Sequence, residues 1–156
     1  MTKDTFPILG IDIEFYVKSA EKTAQFLVDV FGFTEVAYAG PETGRQVSTS
    51  RLLVQNDIRF VITAGLGADS PVTKHVELHG DGVRDISFRV PDVRKAYKEA
   101  MLRGAIALTP PHVASDAYGK VVRATIRTYG DTIHSLVQRD EYRGSFLPGF
   151  QPVATK

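Results

Sequence analysis

The sequence predicts an α+β domain built from two tandem β-α-β-β-β units, and three observations lead to this fold class. The motif DIxFxV starts at Asp12 and returns 73 residues later at Asp85. In both copies the strict alternation of apolar residues gives way to a helical pattern. Both helical patterns end at a glycine, Gly32 or Gly104. A long period that occurs only twice indicates a duplicated unit within one domain rather than a solenoid.

The first unit is predicted from alternation, helical spacing and turn residues. Its first strand places Ile13, Phe15 and Val17 on one face, which the following helix must cover. A polar hairpin separates the next two strands, and the turn Gln55-Asn56-Asp57 precedes the last one. The predicted elements are a strand at 11–17, a helix at about 20–31, and strands at 35–39, 47–54 and 58–63.

The second unit repeats this order after a long connector, 64–82, which contains the short helical word HVELH. Pro110 and Pro111 are expected to interrupt its second strand. The predicted elements are a strand at 83–90, a helix from Pro91-Asp92 to about 103, and strands at 106–108, 121–128 and 132–138. The domain is therefore predicted as 1–138, with units at about 8–64 and 83–138. Residues 139–156 are predicted to be a linker-like tail that forms no further element.

Composition restricts the classes of function. A chain of 156 residues with 43% hydrophobic residues is expected to bury one core. Its net charge of +1, from 19 basic and 18 acidic residues, argues against a nucleic acid partner. The absence of cysteine excludes disulfides and thiolate metal sites. The first ten residues lack a secretory core and no apolar run has membrane-spanning length, so we predict a soluble, cytoplasmic protein without a membrane partner.

Two longer words resemble a known family. HVELHGDGVRDISFRV and YGDTIHSLVQRDEYRGSFLPGF are similar to the N-terminal half of 4-hydroxyphenylpyruvate dioxygenase and of hydroxymandelate synthase. The resemblance implies the vicinal oxygen chelate fold, a curved eight-stranded mixed sheet with helices on its convex side. It also implies that the full-length enzyme uses iron(II) and oxygen to decarboxylate and hydroxylate an aromatic α-keto acid. Because the iron of this family lies in the second domain, no cofactor is expected in this chain.

The resemblance also carries the positions of the iron ligands onto this chain. They fall at Asp12 (or the adjacent Ile13), Asp85 and Ser135, and none of these is a histidine. A non-haem iron oxygenase needs two histidines and a carboxylate with open positions for substrate and oxygen. We therefore predict no metal site and no catalytic residue here. Asp12 and Asp85 are either remnants of a metal cup or structural carboxylates paired with backbone groups or arginines, and the structural role is favoured.

Three histidines are the other metal-ligand candidates. His75 and His79 are spaced i, i+4 and share one helix face, but HVELH lacks the HExxH order and a third ligand is not apparent. A surface helix is the favoured interpretation. His134 is adjacent to the mapped position Ser135, so alternation turns it to the opposite face as a packing residue.

The polar faces of the two duplicated strands are the strongest candidates for binding. If their apolar residues pack under the helices, their polar residues point into the concave side of the sheet. Such a cup can bind a small anion or acid, with an arginine as the carboxylate partner, or its acidic and basic groups can satisfy one another without a ligand, which is favoured. The candidate residues are Asp12, Glu14, Tyr16, Asp85, Ser87 and Arg89.

Two functions of different classes remain open. The chain is either the non-metal half of a 4-hydroxyphenylpyruvate dioxygenase-like enzyme of aromatic amino acid metabolism, as fragment or split component, or a free-standing dimeric small-molecule binding protein of the glyoxalase and bleomycin-resistance type. Its expected partners are a metal-bearing second domain, a second copy of itself and a small aromatic keto acid. The segment from Tyr142 to Phe150 is predicted to form the homodimer contact, because Phe146, Leu147 and Phe150 are too apolar for a free tail.

Overall fold

The computed structural model describes residues 7–154, so residues 1–6 of the predicted domain and 155–156 of the predicted tail lie outside the described part. Both predicted units are present. The first consists of β1 (Gly10–Tyr16), α1 (Ala20–Phe31), β2 (Thr34–Ala39), β3 (Ser48–Gln55) and β4 (Ile58–Gly65). The second follows a connecting helix α2 (Pro71–His79) and consists of β5 (Gly82–Arg89), α3 (Val93–Leu102), β6 (Ala107–Asp116), β7 (Gly119–Arg127) and β8 (Ile133–Gln138).

The helix ends follow local chemistry. The side chain of Ser19 accepts a hydrogen bond from the backbone N–H of Lys22 and so caps the start of α1. Gly32 ends this helix with φ of 77°, a left-handed conformation that favours glycine. Asp92 caps α3 in the same way by accepting from the N–H of Lys95. These caps explain why both helices begin where the sequence predicted.

All strands belong to one mixed sheet with the order β6-β7-β8-β5-β1-β4-β3-β2, to which a short ninth strand adds at the β2 edge. The duplicated strands β1 and β5 pair antiparallel at its centre, with Glu14 opposite Asp85 and Asp12 opposite Ser87. Each also pairs parallel with the last strand of its own unit, β4 or β8. The two units therefore join side by side through their equivalent strands.

The helices α1 and α3 cover one face of this sheet. The apolar side chains beneath α1 include Val17, Leu53 and Ile62, which are at most 3% exposed. On α3 itself, Val93 and Ala96 are fully buried, and they pack on Ala124 and other apolar residues of β7 and β8. Since successive residues of a strand alternate between faces, their polar neighbours point to the other side of the sheet.

The other face is covered by the end of the chain, residues 139–152, which we call the strap. Phe146 and Phe150 pack on the first unit against residues that include Leu52 and Val61. On the second unit, the strap contributes the side chains of Tyr142 and Leu147, which pack against Val121 and Val137. The strap therefore crosses both units. Full burial of each of its large apolar side chains contributes about 1.5–3 kcal/mol.

The strap differs from the predicted linker-like tail. Beyond Phe150 the chain forms a short strand, β9 (Gln151–Pro152), which pairs antiparallel with β2 and makes the sheet nine-stranded rather than eight-stranded. Tyr142, Phe146 and Phe150 are at most 8% exposed within their own domain. The expectation that Phe146 and Phe150 form a homodimer contact is therefore wrong, whereas Leu147 is only partly buried and a homodimer stays a prediction.

A second difference from the prediction concerns Pro110 and Pro111, which were expected to interrupt the strand. Instead, β6 continues past both prolines. Its register with β7 shifts between Thr109 and His112, which leaves one extra residue at the prolines. Proline is tolerated in an edge strand at such a bulge, because the missing N–H has no ladder partner to lose. Among the described residues, no helix is long and apolar enough to cross a membrane.

Candidate functional site in the concave face

A cavity of about 50 Å³ lies between the concave face of the sheet and the strap. Its roof is apolar and comes from the strap residues Phe146, Leu147 and Phe150, while Val61 and Val137 add apolar surface from the sheet. Its floor is charged and polar. The floor residues are Asp12, Glu14, Arg45, Asp85, Ser87 and Arg123.

Two of the floor carboxylates are held by neighbours. Asp12 Oδ1 accepts a hydrogen bond of 2.7 Å from Arg59 Nε, and Asp12 is 5% exposed. Asp85 accepts from both the backbone N–H and the hydroxyl of Ser135, and Arg123 Nη2 lies 3.8 Å from Asp85 Oδ2. Buried carboxylates need such donors, because removing them from water is otherwise costly.

Glu14 stands at the end of a chain of hydrogen bonds. Its Oε2 accepts from the hydroxyl of Thr63 at 2.7 Å, and the hydroxyls of Thr63 and Ser50 are 2.6 Å apart. Since Thr63 donates its only hydroxyl proton to Glu14, Ser50 must donate to Thr63. Arg45 Nη1 in turn donates to Ser50 at 2.7 Å. The chain therefore runs from the Arg45 guanidinium to the Glu14 carboxyl through two side chains that are at most 2% exposed.

The electrostatics of the floor are unfavourable for the Glu14 carboxylate. Glu14 and Asp85 are directly opposite on β1 and β5, a position in which like charges destabilise a sheet. Burial raises the pKa of Glu14 above its ordinary value, and the Asp85 charge raises it further, against the opposing effects of Thr63, Arg123 and Arg45. Burial also raises the pKa of Asp85, against the hydrogen bonds from Ser135 and the charge of Arg123.

Four of the six predicted concave-face residues line this cavity, and Tyr16 and Arg89 do not. In the register of β1 with β5, Tyr16 pairs with Gly82 and Arg89 pairs with Gly10, so they lie at opposite ends of the strand pair. Tyr16 packs edge-on against His75, and burial together with Glu14 raises its pKa to about 12. Arg89 lines a separate groove beside the strap and is not the carboxylate partner within the cavity.

The candidate histidines lie outside the cavity. His75 and His79 are on one face of α2 with ring centroids 4.7 Å apart, and His79 Nε2 is 2.6 Å from Asp131 Oδ2. His134 stacks on Phe88, and its Nδ1 is 2.9 Å from the carbonyl oxygen of Ile86. Within residues 7–154, no group of three His, Cys, Asp or Glu side chains is arranged to hold a metal ion.

The three mapped ligand positions do not fit the iron of the family. Asp85 and Ser135 bond to each other, and Asp12 is paired with Arg59. Arg123 approaches Asp85 where a cation would have to bind. A site with these donors offers two engaged carboxylates and a hydroxyl, whereas non-haem iron requires imidazole ligands. That this domain carries no iron stays a prediction for analysis of the protein.

Sequence reasoning missed the two arginines of the cavity and the role of the strap. Arg123 interrupts the mainly apolar segment VVRATI of β7. A charged residue in the middle of a buried strand was the sequence signal that could have identified it as a site residue. Arg45 follows a 3-10 turn at Pro41–Thr43, where no periodicity shows the direction of a side chain. Phe146 and Phe150 of the strap were noticed, but their partners Leu52 and Val61 lie more than 80 positions earlier in the chain.

Two tandem β-α-β-β-β units that share one sheet and enclose a concave site define a vicinal oxygen chelate domain. A family model described as hydroxyphenylpyruvate dioxygenase, N-terminal, matches residues 5–147 of the chain. The chain belongs to this family of hydroxyphenylpyruvate dioxygenase N-terminal domains.

Curated relatives and solved structures agree with this assignment. The chain is 41% identical over 144 residues to 4-hydroxyphenylpyruvate dioxygenase of Dictyostelium discoideum, covering 90% of this chain and 39% of that protein. It is 37% identical over 159 residues to the enzyme of Pyricularia oryzae, covering 90% of this chain and 38% of that protein. The chain therefore spans less than half the length of these relatives.

Among solved structures, a mutant of 4-hydroxymandelate synthase from Streptomyces coelicolor is similar with a TM-score of 0.83 and 34% identity, covering 94% of this chain and 42% of that chain. Methylmalonyl-CoA epimerase from Mycobacterium tuberculosis has a TM-score of 0.67 at 15% identity, covering 88% of this chain and 91% of that one. The second likeness shows the fold alone.

Proposed function

We propose that this chain is the metal-free, scaffold-forming half of a 4-hydroxyphenylpyruvate dioxygenase-like enzyme and has no turnover by itself. The observation that carries the proposal is the bonding at the three mapped ligand positions. Asp85 bonds to Ser135, and Asp12 and Asp85 pair with arginines. Iron(II), when bound in the second domain, would supply the activation of oxygen and the keto acid. This domain would contribute a rigid neighbour whose own concave face is closed by the strap.

The first prediction is that the purified chain does not turn over 4-hydroxyphenylpyruvate in the presence of iron(II), because it lacks the imidazole ligands that such a site needs. Oxygen uptake and product formation should equal those of a protein-free control. Elemental analysis after dialysis should find less than a stoichiometric amount of iron, zinc or nickel. Uptake above the control, or a retained equivalent of one of these metals, would contradict the proposal.

A complementation assay tests the scaffold role directly. The relative from Dictyostelium discoideum is 41% identical to this chain over 144 residues, so the part of it that this chain does not cover is a suitable second half. We expect this second half to have greater turnover when co-expressed with the chain than when expressed alone. Equal turnover with and without the chain would count against a scaffold role.

A free-standing small-molecule binding protein is the second candidate function. The observation that favours it is the cavity itself, which joins a charged floor to an apolar roof as binding sites do. An aromatic keto acid is larger than about 50 Å³ of space, so it would have to displace the strap. Titration of the chain with 4-hydroxyphenylpyruvate, with the rate of protease cleavage in the strap as the readout, distinguishes the two candidates. Binding that makes the strap easier to cleave favours the binding protein. The absence of binding favours the scaffold.

A further inference from the structure

Two arginines that line the cavity beneath the strap have N–H groups without a hydrogen-bond partner among the described residues. Its carboxylates already have partners, since Asp12 accepts from Arg59, Glu14 from Thr63 and Asp85 from Ser135. A guanidinium carries five N–H donors. Among the residues that the structure describes, the hydrogen bond of Arg45 uses Nη1 only, and it goes to Ser50.

Arg123, the second arginine of the cavity, also has N–H groups that are not used in hydrogen bonds to residues 7–154. Arg123 Nη2 donates to Ser135 at 3.2 Å and lies 3.8 Å from Asp85 Oδ2. Its Nε is buried and has no hydrogen-bond partner within the described part of the chain. A buried donor without a partner is costly, and Arg123 lines the cavity, so an acceptor that reached this N–H would be stabilising.

The dimensions and walls of the cavity restrict the acceptor. A water molecule requires roughly 10–15 Å³ of such space, so about 50 Å³ holds a group of only a few non-hydrogen atoms. The roof of Phe146, Leu147 and Phe150 is apolar and offers nothing to a highly charged ion. A small monovalent carboxylate fits both the charged floor and the apolar roof. Its oxygens can accept hydrogen bonds from the arginines while its carbon end contacts the roof.

We propose that this cavity is a binding site for a small monovalent carboxylate of the formate or acetate class, held by Arg45 and Arg123 beneath the strap. The site is separate from the reaction attributed to the whole family, and its test requires neither a second domain nor turnover. A negative result here therefore leaves the scaffold proposal untouched.

Each carboxylate around the site has an arginine as its partner, so the charge of Glu14 determines whether Arg45 can pair with an added anion. Glu14 faces Asp85 on β5, Arg123 on β7 and Arg45 after the 3-10 turn, with Asp12 and Tyr16 on its own strand. Asp12 is neutralised by Arg59, and Asp85 by Arg123 and Ser135. Arg45 and Glu14 remain as the pair at the two ends of the hydroxyl chain. Removing the charge of Glu14 would therefore leave Arg45 as the cation that an added carboxylate pairs with.

The experiment is a titration of the chain with sodium formate and sodium acetate, at an ionic strength held constant with sodium sulfate. Isothermal titration calorimetry and the thermal unfolding midpoint are measured together. We expect saturable binding of one anion and a matching rise of the unfolding midpoint. Arg45→Gln should weaken binding about tenfold or more, as for loss of a hydrogen bond to a charged group.

Arg51→Gln is the matched control. Arg51 is also a partly buried arginine of the same unit that lies over an aromatic ring, Tyr38, and it pairs with Glu35 away from the cavity. Its replacement should change the affinity by less than about twofold. Equal weakening in both variants, or a non-saturable rise of the midpoint in both, would show a general salt effect and overturn the proposal.

Two further variants keep the test decisive if Arg45→Gln does not fold. Glu14→Gln removes a negative charge from the floor and should tighten binding of the carboxylate at pH 8, so weaker binding would overturn the proposal.

Phe150→Ala removes the ring that lies 5.0 Å from the Arg45 guanidinium and so enlarges the cavity. Benzoate, which is too large for the native cavity, should bind this variant at least about tenfold more tightly than the native chain. Equal affinity of benzoate for both would place the anion elsewhere.

Discussion

Replacing Phe150 with alanine is expected to lower the free energy of unfolding by about 3–5 kcal/mol, the usual cost of removing a fully buried phenylalanine side chain. Phe150 is 2% exposed, packs edge-on against Phe146 with ring centroids 5.1 Å apart, and lies beneath the Arg45 guanidinium. Its partners belong to β2, β3 and β4, so the loss would leave a cavity between the strap and the first unit, while Phe146 still packs on this unit.

Thermal and urea unfolding of Phe150→Ala measure this effect, with an expected decrease of the midpoint of roughly 10 °C for a domain of this size. Phe26→Ala is the matched control, because Phe26 is 53% exposed on α1 and should cost less than about 1 kcal/mol. If both variants unfolded at the temperature of the native chain, the strap would not be part of the folded domain.

Replacing Glu14 with glutamine is expected to stabilise the domain by about 1–2 kcal/mol at a pH above the raised pKa of Glu14, a large effect for a single polar substitution. The native carboxylate faces Asp85 across the β1–β5 pair, whereas an uncharged amide would keep an acceptor for the Thr63 hydroxyl. Arg45 and Arg123 oppose this gain by stabilising the charged form, but burial has the largest influence on the pKa of Glu14.

The pH dependence gives the sign of this effect. Because the folded-state pKa of Glu14 is raised, the native chain has the stability of the protonated form below the ordinary value of 4.5. That stability is lost as the pH rises from this value through the raised pKa. The difference between Glu14→Gln and the native chain should therefore be small below the ordinary value of 4.5 and reach its maximum above the raised pKa of Glu14.

Urea unfolding at a series of pH values measures this difference, and the subtraction removes contributions from other titrating groups. Glu35→Gln is the matched control, since Glu35 forms a partly exposed ion pair with Arg51 in the same sheet. It should lose at most about 1 kcal/mol. A Glu14→Gln variant that is less stable than the native chain at pH 8 would show that Arg45 and Arg123 outweigh burial and the Asp85 charge.

The strap covers the concave face of the sheet and contacts both units. Its apolar residues close a concave face whose equivalent must stay open in a domain that binds a metal and a substrate. It also holds the two units together, since Phe146 and Phe150 pack on the first unit and Tyr142 and Leu147 on the second. The chain then pairs through β9 with β2 at the edge of the first unit.

The candidate site was predictable only in part. Alternation along β1 and β5 placed Asp12, Glu14, Asp85 and Ser87 on one face, and all four line the cavity. The same reasoning included Tyr16 and Arg89, which lie at the ends of the strand pair. Alternation states which face a side chain is on but not how far along the strand a cavity extends, because this depends on what covers the face.

The sequence by itself determined the duplicated β-α-β-β-β units, the helix starts near Ala20 and at Pro91-Asp92, and the absence of imidazole from the mapped ligand positions. These features depend on residues close in the chain or on a repeated motif, so local periodicity and residue type were sufficient. Only the tertiary structure decided that the strap covers the concave face and that Arg45 reaches the cavity. Contacts such as those of Phe150 with Leu52 and Val61 join residues distant in sequence, and burial of apolar surface, which leaves no periodic signal, selects them.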